Sequence, residues 1–241
     1  VTAAPFHLAG ERLLLDPGGG LFWPGQKLLA VADLHLEKGS AAALKGHLLP
    51  PWDTAATLDR VALMLRRYKP AVLVALGDSF HDRAGAGRLM AADRARLGQI
   101  AASTRLIWVL GNHDPVAPDG LAGEVVDEIR LGNLVFRHEG QAGARGEISG
   151  HFHPKAAIPT SGTVVSRPCF MTDGYRVMLP AIGAYTGGLD VRDPAIAQLF
   201  PRGGRAFLLG RDRLYSFSMA ARRGGVASAP NFPPRAAAVG E

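Results

Sequence analysis

Residues 111–114 read Gly111-Asn112-His113-Asp114 and follow the apolar run Leu106-Ile107-Trp108-Val109-Leu110. Such a run, closed by a glycine, predicts a short buried strand. The strand stops and presents an amide, an imidazole and a carboxylate at its carboxyl end. In open α/β folds that edge is where ligands bind. The arrangement recurs upstream. Leu28-Leu29-Ala30-Val31-Ala32 leads into Asp33-Leu34-His35, and Ala71-Val72-Leu73-Val74-Ala75-Leu76 leads into Gly77-Asp78-Ser79-Phe80-His81-Asp82. If extended geometry persists past the strand, residues two apart point the same way. Asp33 and His35 are then expected to face one point while Leu34 packs behind. Taken alone, the pair also fits an aspartate capping a turn beside a surface histidine. His81 and Asp82 either line the same pocket or cap the next helix.

The segments between these strands read as helices. Asp53 is expected to cap a helix running to about Tyr68, with Leu58, Val61 and Leu65 on one face, ended by Lys69-Pro70. Residues 84–103 carry Leu89, Met90, Leu97 and Ile100 at helical spacing and predict one outer helix. The order β-α-β-α-β implies parallel strands with right-handed crossovers. Residues 37–49, rich in Gly, Ala and Lys, are expected as a mobile loop over the site, a lid or a dimer contact. At the start, residues 6–15 read as one hairpin arm. It turns at Asp16-Pro17-Gly18-Gly19-Gly20 into a second arm beginning Leu21-Phe22-Trp23.

Downstream the chain changes character. Residues 124–131 and 133–137 predict short strands, the second ending at His138. Glu147-Ile148-Ser149 leads into Gly150-His151-Phe152-His153-Pro154, an H-x-H expected to put both imidazoles on one side of an extended segment. Strands continue at 164–165, 168–172 and 175–179, and a last hairpin at 206–209 and 214–217. The expected organisation is one domain over residues 1–219 with an Ala/Arg/Gly/Pro-rich flexible tail at 220–241.

Composition limits the alternatives. Of the 241 residues 47% are apolar, enough for a full core. No apolar run approaches the roughly 18–20 residues of a membrane span, and the N-terminus lacks a signal pattern, so a cytoplasmic protein with no membrane partner is expected. The single cysteine, Cys169, excludes an internal disulfide and a cysteine-rich zinc site, and reads as a packing residue. The net charge of +6 and pI near 9.9 suit a nucleic-acid or other phosphate partner. Only five of the 27 basic residues are lysine, so codon bias toward arginine also accounts for the excess. His7 and His47 match no motif and read as ordinary surface residues. Trp23 and Trp108 read as core.

The strand-end groups are Asp33, His35, Asp78, Asn112, His113, His138, His151 and His153. This nitrogen and oxygen set suits Mn, Fe or Zn and disfavours soft-metal or iron–sulfur sites. It is too large for one tetrahedral ion, and one shared carboxylate fits two ions about 3.5–4 Å apart. D-x-H, G-D, G-N-H-D, an isolated His and G-H-x-H, in that order, resemble the calcineurin-like metallophosphoesterase superfamily. Ala32-Asp33-Leu34-His35-Leu36-Glu37-Lys38-Gly39, Gly77 to Asp82, Ser149 to Pro154 and Pro168-Cys169-Phe170 further resemble the small bacterial ligase-associated DNA damage response endonucleases. The D-R-G and G-N-H-E typical of the protein-phosphatase branch are absent: Ser79-Phe80-His81-Asp82 and Asp114 stand there instead.

The resemblance implies an α/β fold, a four-layer αββα sandwich of two mixed β-sheets flanked by helices, with two divalent cations at the strand ends. Manganese is the first expectation, with iron or zinc as alternatives. Asp33, His35, Asp78 and His153 would hold one ion. Asp78, Asn112, His138 and His151 would hold the other, with Asp78 bridging. A metal-bridging hydroxide would attack phosphorus in line. His113 would stabilise charge and protonate the leaving alkoxide, with Asp114 orienting its ring, and His81 would contact the phosphate. The implied substrate is single-stranded DNA cut internally, in repair beside a DNA ligase and a helicase. The rival enzyme is a phosphomonoesterase or nucleotide hydrolase on the same motifs. The rival from another class is a scaffold that has lost its chemistry, which normally lacks one of these ligands. An open basic groove, expected along residues 37–49 and 83–96, would favour the polymer.

Overall fold

The computed structural model describes residues 1–220, with Thr160 described by its backbone alone. Of the tail expected at 220–241, Ala220 is instead the last residue of a strand, and residues 221–241 lie outside the described residues. The chain begins with strands β1 (Ala4–Leu8), β2 (Glu11–Leu15), β3 (Leu21–Trp23) and β4 (Leu28–Val31). Helices α1 (Lys38–Leu44) and α2 (Asp53–Tyr68) follow, then β5 (Val72–Leu76), α3 (Gly85–Arg88), α4 (Ala91–Ser103), β6 (Arg105–Val109) and β7 (Glu124–Val126). These strands form one sheet in sequence order, antiparallel from β1 to β4 and parallel from β4 to β7. The second half adds β8 (Glu128–Leu131), β9 (Leu134–Arg137), β10 (Glu147–Ser149), β11 (Lys155–Thr160), β12 (Thr163–Thr172), β13 (Arg176–Met178), α5 (Pro194–Ala197), β14 (Gly203–Leu209) and β15 (Leu214–Ala220). The second sheet runs β15-β14-β12-β13-β10-β9-β8, with β11 paired to β12. Its β9, β10 and β13 are parallel and the rest antiparallel, so both sheets are mixed.

Alternation along the central strands builds the layers. Leu28, Ala30, Val74, Leu76, Ile107 and Val109 face the second sheet, meeting Leu134, Phe136, Ile148, Phe170 and Val177. The intervening Leu29, Val31, Leu73, Ala75, Leu106 and Trp108 face α2 and α4 through Leu58, Val61, Met64, Leu97 and Ile100. Burying each of the larger aliphatic side chains and phenylalanines stabilises the fold by about 1.5–3 kcal/mol. The outer face of the second sheet is covered more thinly, by α5 and its flanking loops through Val191, Ile196, Leu199 and Phe200. The two sheets with helices outside match the expected sandwich.

Several boundaries differ from the sequence expectation. Residues 6–15 are not one arm: Ala9 and Gly10 both take positive φ and fold the segment into the β1–β2 hairpin. Residues 124–131 are not one strand. The segment breaks at Asp127, and β7 joins the first sheet while β8 joins the second. The helix expected over 84–103 is interrupted after Arg88, where Leu89 turns extended and buries its side chain. Strand β11 was not anticipated, because Pro154 and Pro159 punctuate it; its partner β12 holds it as an extension of the sheet. Residues 37–49 are not a loop throughout, since α1 occupies the first half. Asp53 does not cap α2. It is the first helical residue, and its carboxylate accepts from the Gly39 N–H at 2.9 Å. Among the described residues no helix is long and apolar enough to cross a membrane.

Candidate metal centre

Strands β4, β5, β6, β9 and β10 all deliver their following residues to one edge of the sandwich. The expectation that Asp33-x-His35 and His151-x-His153 continue as extended segments does not hold. Asp33 (φ 53°), His35 (φ 42°), Asp78 (φ 45°), His151 (φ 75°) and His153 (φ 48°) are all left-handed. Each costs roughly 1–2 kcal/mol for an L-residue. Strain of this kind persists only where surrounding contacts over-determine it. Here the contacts are explicit. Asp33 N–H donates to the Gly77 carbonyl, His35 N–H to that of Asp78 and Leu36 N–H to that of Ser79, and the His81 N–H returns to Leu36. The first two motifs are thereby zipped together. Gly77 is required for close approach, since a Cβ there would lie 2.2 Å from His138 Nδ1. At Gly111 it would lie 2.3 Å from the Asp78 N and Oδ1.

The left-handed turns send the two histidines of His151-x-His153 to different clusters. In the first cluster His35 Nε2 faces His153 Nε2 at 3.1 Å, His153 Nε2 lies 3.5 Å from Asp33 Oδ1, and His35 Nε2 lies 3.7 Å from Asp78 Oδ2. In the second, His138 Nε2 faces Asn112 Oδ1 at 2.9 Å, His151 Nδ1 at 3.1 Å and Asp78 Oδ1 at 3.4 Å. Donors around one cation at about 2.1 Å stand from about 3.0 Å apart when adjacent to about 4.2 Å when opposite, so both sets fit an ion. Asp78 turns one carboxylate oxygen to each cluster. Asp33, His35, Asp78 and His138 are all buried, and six of the eight histidines gather here.

Backbone groups orient the ligands. The His151 N–H donates to the Asp33 carboxylate at 3.0 Å, joining the two sheets across the site, and the His113 N–H donates to Asp78 Oδ1 at 2.9 Å. His138 donates Nδ1–H toward the Leu76 carbonyl at 3.3 Å, which leaves Nε2 free to face Asn112 and Asp78. Burial drives the His35 imidazole down to about 3, with the charge of His153 acting the same way against Asp78. Burial pulls the Asp78 carboxyl upward, but His138, the His113 N–H and His35 outweigh it and hold it at about 2. For His138 burial lowers the pKa, and Asp78 and Asp33 outweigh that and raise it. The site therefore offers an ionised Asp78 carboxylate, and a cation there would compete with a proton on His138.

His113 is half exposed beside both clusters, with Nε2 4.0 Å from Asp78 Oδ2. Asp114 does not orient its ring. The Asp114 carboxylate is buried and accepts from the N–H groups of Ser79, Phe80 and Gly111. Burial pushes it up to about 6, the Phe80 N–H opposing and the charge of Asp78 adding. The His113 ring is held instead by Nδ1–H donation to the His81 carbonyl at 2.9 Å. No residue identity signals a backbone acceptor, so sequence reading misses it. His81 stacks on His113 with centroids 5.4 Å apart, and its buried Nδ1 has no partner. Asp82 faces away, pairing with Arg88 at 2.8 Å. His7 and His47 are exposed and belong to neither donor cluster, while Trp23, Trp108 and Cys169 are buried in the core.

The calcineurin-like phosphoesterase family model matches residues 26–165, which carry all five motifs. The chain belongs to the calcineurin-like phosphoesterase family. As a calcineurin-like phosphoesterase it is a metal-dependent hydrolase acting on phosphoester bonds. Among solved structures it is similar to nuclease MPE of Pseudomonas putida, with TM-score 0.71 and 28% identity over 89% of this chain and 100% of that one. It also matches Yfce, a phosphoesterase from E. coli, with TM-score 0.43 and 15% identity over 80% of this chain and 98% of that one. No curated protein matches the sequence significantly.

Proposed function

We propose that this phosphoesterase is a two-metal phosphodiesterase that cuts single-stranded DNA internally, with manganese as its cation and a role in DNA repair. The observation that carries the reading is the split Asp78 carboxylate, one oxygen on each donor cluster. Asp33, His35, Asp78 and His153 would hold one ion, and Asp78, Asn112, His138 and His151 the other. Bound there, two divalent cations would polarise the phosphoryl oxygens and lower the pKa of water. The similarity to a nuclease over the full length of that chain supports a nucleic-acid substrate, as does the net charge of +6. The resemblance to ligase-associated endonucleases supports an association with a ligase and a helicase.

The chain's own groups supply the rest. His113 is anchored through Nδ1, so Nε2 is free to meet a phosphoryl oxygen or, when protonated, to give its proton to the leaving alkoxide. Asp114 is a positioning residue: it gathers three backbone N–H groups and so fixes the loops carrying Asp78 and His113. His81, stacked on His113, offers a further phosphate contact.

The test is circular single-stranded DNA in Mn²⁺, with p-nitrophenyl phosphate in parallel and His113→Ala as control. A circle has no ends, so linear and shorter products report internal cleavage. That outcome, lost in the variant and with the monoester untouched, is the expected one. An intact circle with rapid monoester turnover would establish a phosphomonoesterase or nucleotide hydrolase instead.

A further inference from the structure

Residues 38–52 form a strip beside the metal centre whose chemistry the mechanism does not use. It contains Lys38, Lys45 and His47 and no acid. The flanking acids Glu37 and Asp53 are both buried. It also concentrates exposed apolar side chains: Leu44, Leu48 at 91%, Leu49 and Trp52 at 69%. An apolar patch of this kind on a surface marks an interaction site. The strip is pinned rather than loose. The Glu37 carboxylate accepts from Thr54 Oγ1 at 2.9 Å and Ser40 Oγ at 2.6 Å, and Ser40 Oγ accepts from Arg88 Nε. The Glu37 N–H donates to Thr54, the Gly39 N–H to Asp53, and Tyr185 Oη to the Pro50 carbonyl. These bonds hold Trp52 beside the start of α1. The His81 N–H donates to the Leu36 carbonyl, which puts Lys38 and His81 on adjoining turns.

We infer that residues 38–52 are a cradle for single-stranded nucleic acid, in which Lys38 and Lys45 meet backbone phosphates and Trp52 with its apolar neighbours receives unstacked bases. The inference rests on the proposed nuclease reading and deepens it. Charge argues for this occupant over a second copy of the chain, because a two-fold contact would press an acid-free, lysine-bearing strip against itself. Among the described residues no carboxylate lies within 4 Å of either lysine. Both lie close enough to His81 to add to the lowering of its pKa that burial causes. The arginines expected to line a groove along residues 83–96 are mostly committed elsewhere: Arg88 to Asp82, Arg94 to the Ala86 and Gly120 carbonyls, and Arg96 to Asp59. Aromatic faces with flanking cations bind single strands without sequence preference, and a duplex withholds its bases from such a surface.

Trp52 is the one exposed tryptophan of three, which gives a direct readout. Oligothymidylate added to the wild type in EDTA, where no bond is cut, should quench its emission; unchanged emission would overturn the inference. With Mn²⁺, Trp52→Ala should lower kcat/KM on a single-stranded oligonucleotide about tenfold and reduce the preference over duplex. The double variant Lys38→Ala/Lys45→Ala should flatten the log–log salt dependence of binding by about 1.4. Neither set should alter turnover of bis(p-nitrophenyl) phosphate, too small to span the strip. Oligonucleotide cleavage unaffected by both would overturn the inference while leaving the nuclease reading intact. A wild type that turns over the small diester but no oligonucleotide would instead sink the nuclease reading itself. A concentration-dependent dimer in sedimentation, abolished by Trp52→Ala, would assign the strip to a second copy.

Discussion

Two clusters of buried charge lie at opposite ends of β10. At its start Glu147 sits between Arg137 and Arg176, with Glu128 on the far side of Arg137 and Asp173 beside Arg176. Past its end, Asp33 and Asp78 sit among imidazoles. The first cluster carries its own counter-charge. Arg176 also donates to the Gln141 and Ala144 carbonyls at 2.7 Å, closing the loop between β9 and β10. Even so, burial pushes the Glu147 carboxyl up, against the Gln141 N–H and both arginines. The second cluster has no lysine or arginine paired to its carboxylates among the described residues; only imidazoles face them. Buried charge that the chain balances is architecture. Buried charge left to imidazoles, with ring nitrogens and carboxylate oxygens converging on two points, calls for cations.

The sharpest way to break that contrast is Asp78→Asn, which removes the carboxylate common to both donor sets. Turnover of bis(p-nitrophenyl) phosphate should fall about 10³-fold with an unchanged far-ultraviolet circular dichroism spectrum. A variant within tenfold of wild type would contradict the shared-ligand reading. At the other end Arg176→Ala should cost about 3–5 kcal/mol in urea unfolding, because it leaves Arg137 as the one counter-charge of Glu147 among the described residues and unpairs the Gln141 and Ala144 carbonyls, while activity per folded molecule stays unchanged.

Acid separates the clusters more finely. The folded pKa of His35, about 3, lies below its unfolded value of about 6.5. Its contribution to stability is therefore full above pH 6.5 and is lost as pH falls from 6.5 toward 3. Metal-free protein should lose on the order of a few kcal/mol across that window, and His35→Gln should flatten the curve. The smallest expected effect is the gain on adding cation. At 100 times Kd it should add about 2.7 kcal/mol per site to wild type and to Arg176→Ala, and far less to Asp78→Asn. Equal gains in all three would place the cation elsewhere.

The donor clusters were legible because each candidate ligand follows an apolar strand, and strand ends in a parallel sheet share an edge. The helix over residues 53–68 was legible from the spacing of Leu58, Val61 and Leu65 and from the Lys69-Pro70 stop; the structure buries Leu58 and Val61 with Met64 and leaves Leu65 half-buried. The split of residues 124–131 between sheets was not, since a continuous run of strand-forming residues carries no sign of which sheet each half joins. The expected extended geometry at Asp33-x-His35 and His151-x-His153 failed for a related reason. Left-handed backbone at non-glycine residues is locally unfavourable, so local reasoning discounts it.

The sequence by itself determined the donor inventory, its order along the chain and the alternation that makes two core layers. These depend on side-chain chemistry and on periodicity, which are local. Tertiary structure alone decided that left-handed turns at His151 and His153 aim them at the separate clusters that the family resemblance implies, and that the His81 carbonyl, not Asp114, holds the His113 ring. It also decided that the segment carrying Trp52 is tied to the start of α1, through the Glu37 and Gly39 N–H groups and the side chains of Thr54 and Asp53. Each of these depends on backbone groups contributed by segments distant in sequence, and a backbone carbonyl or N–H has no letter in the sequence.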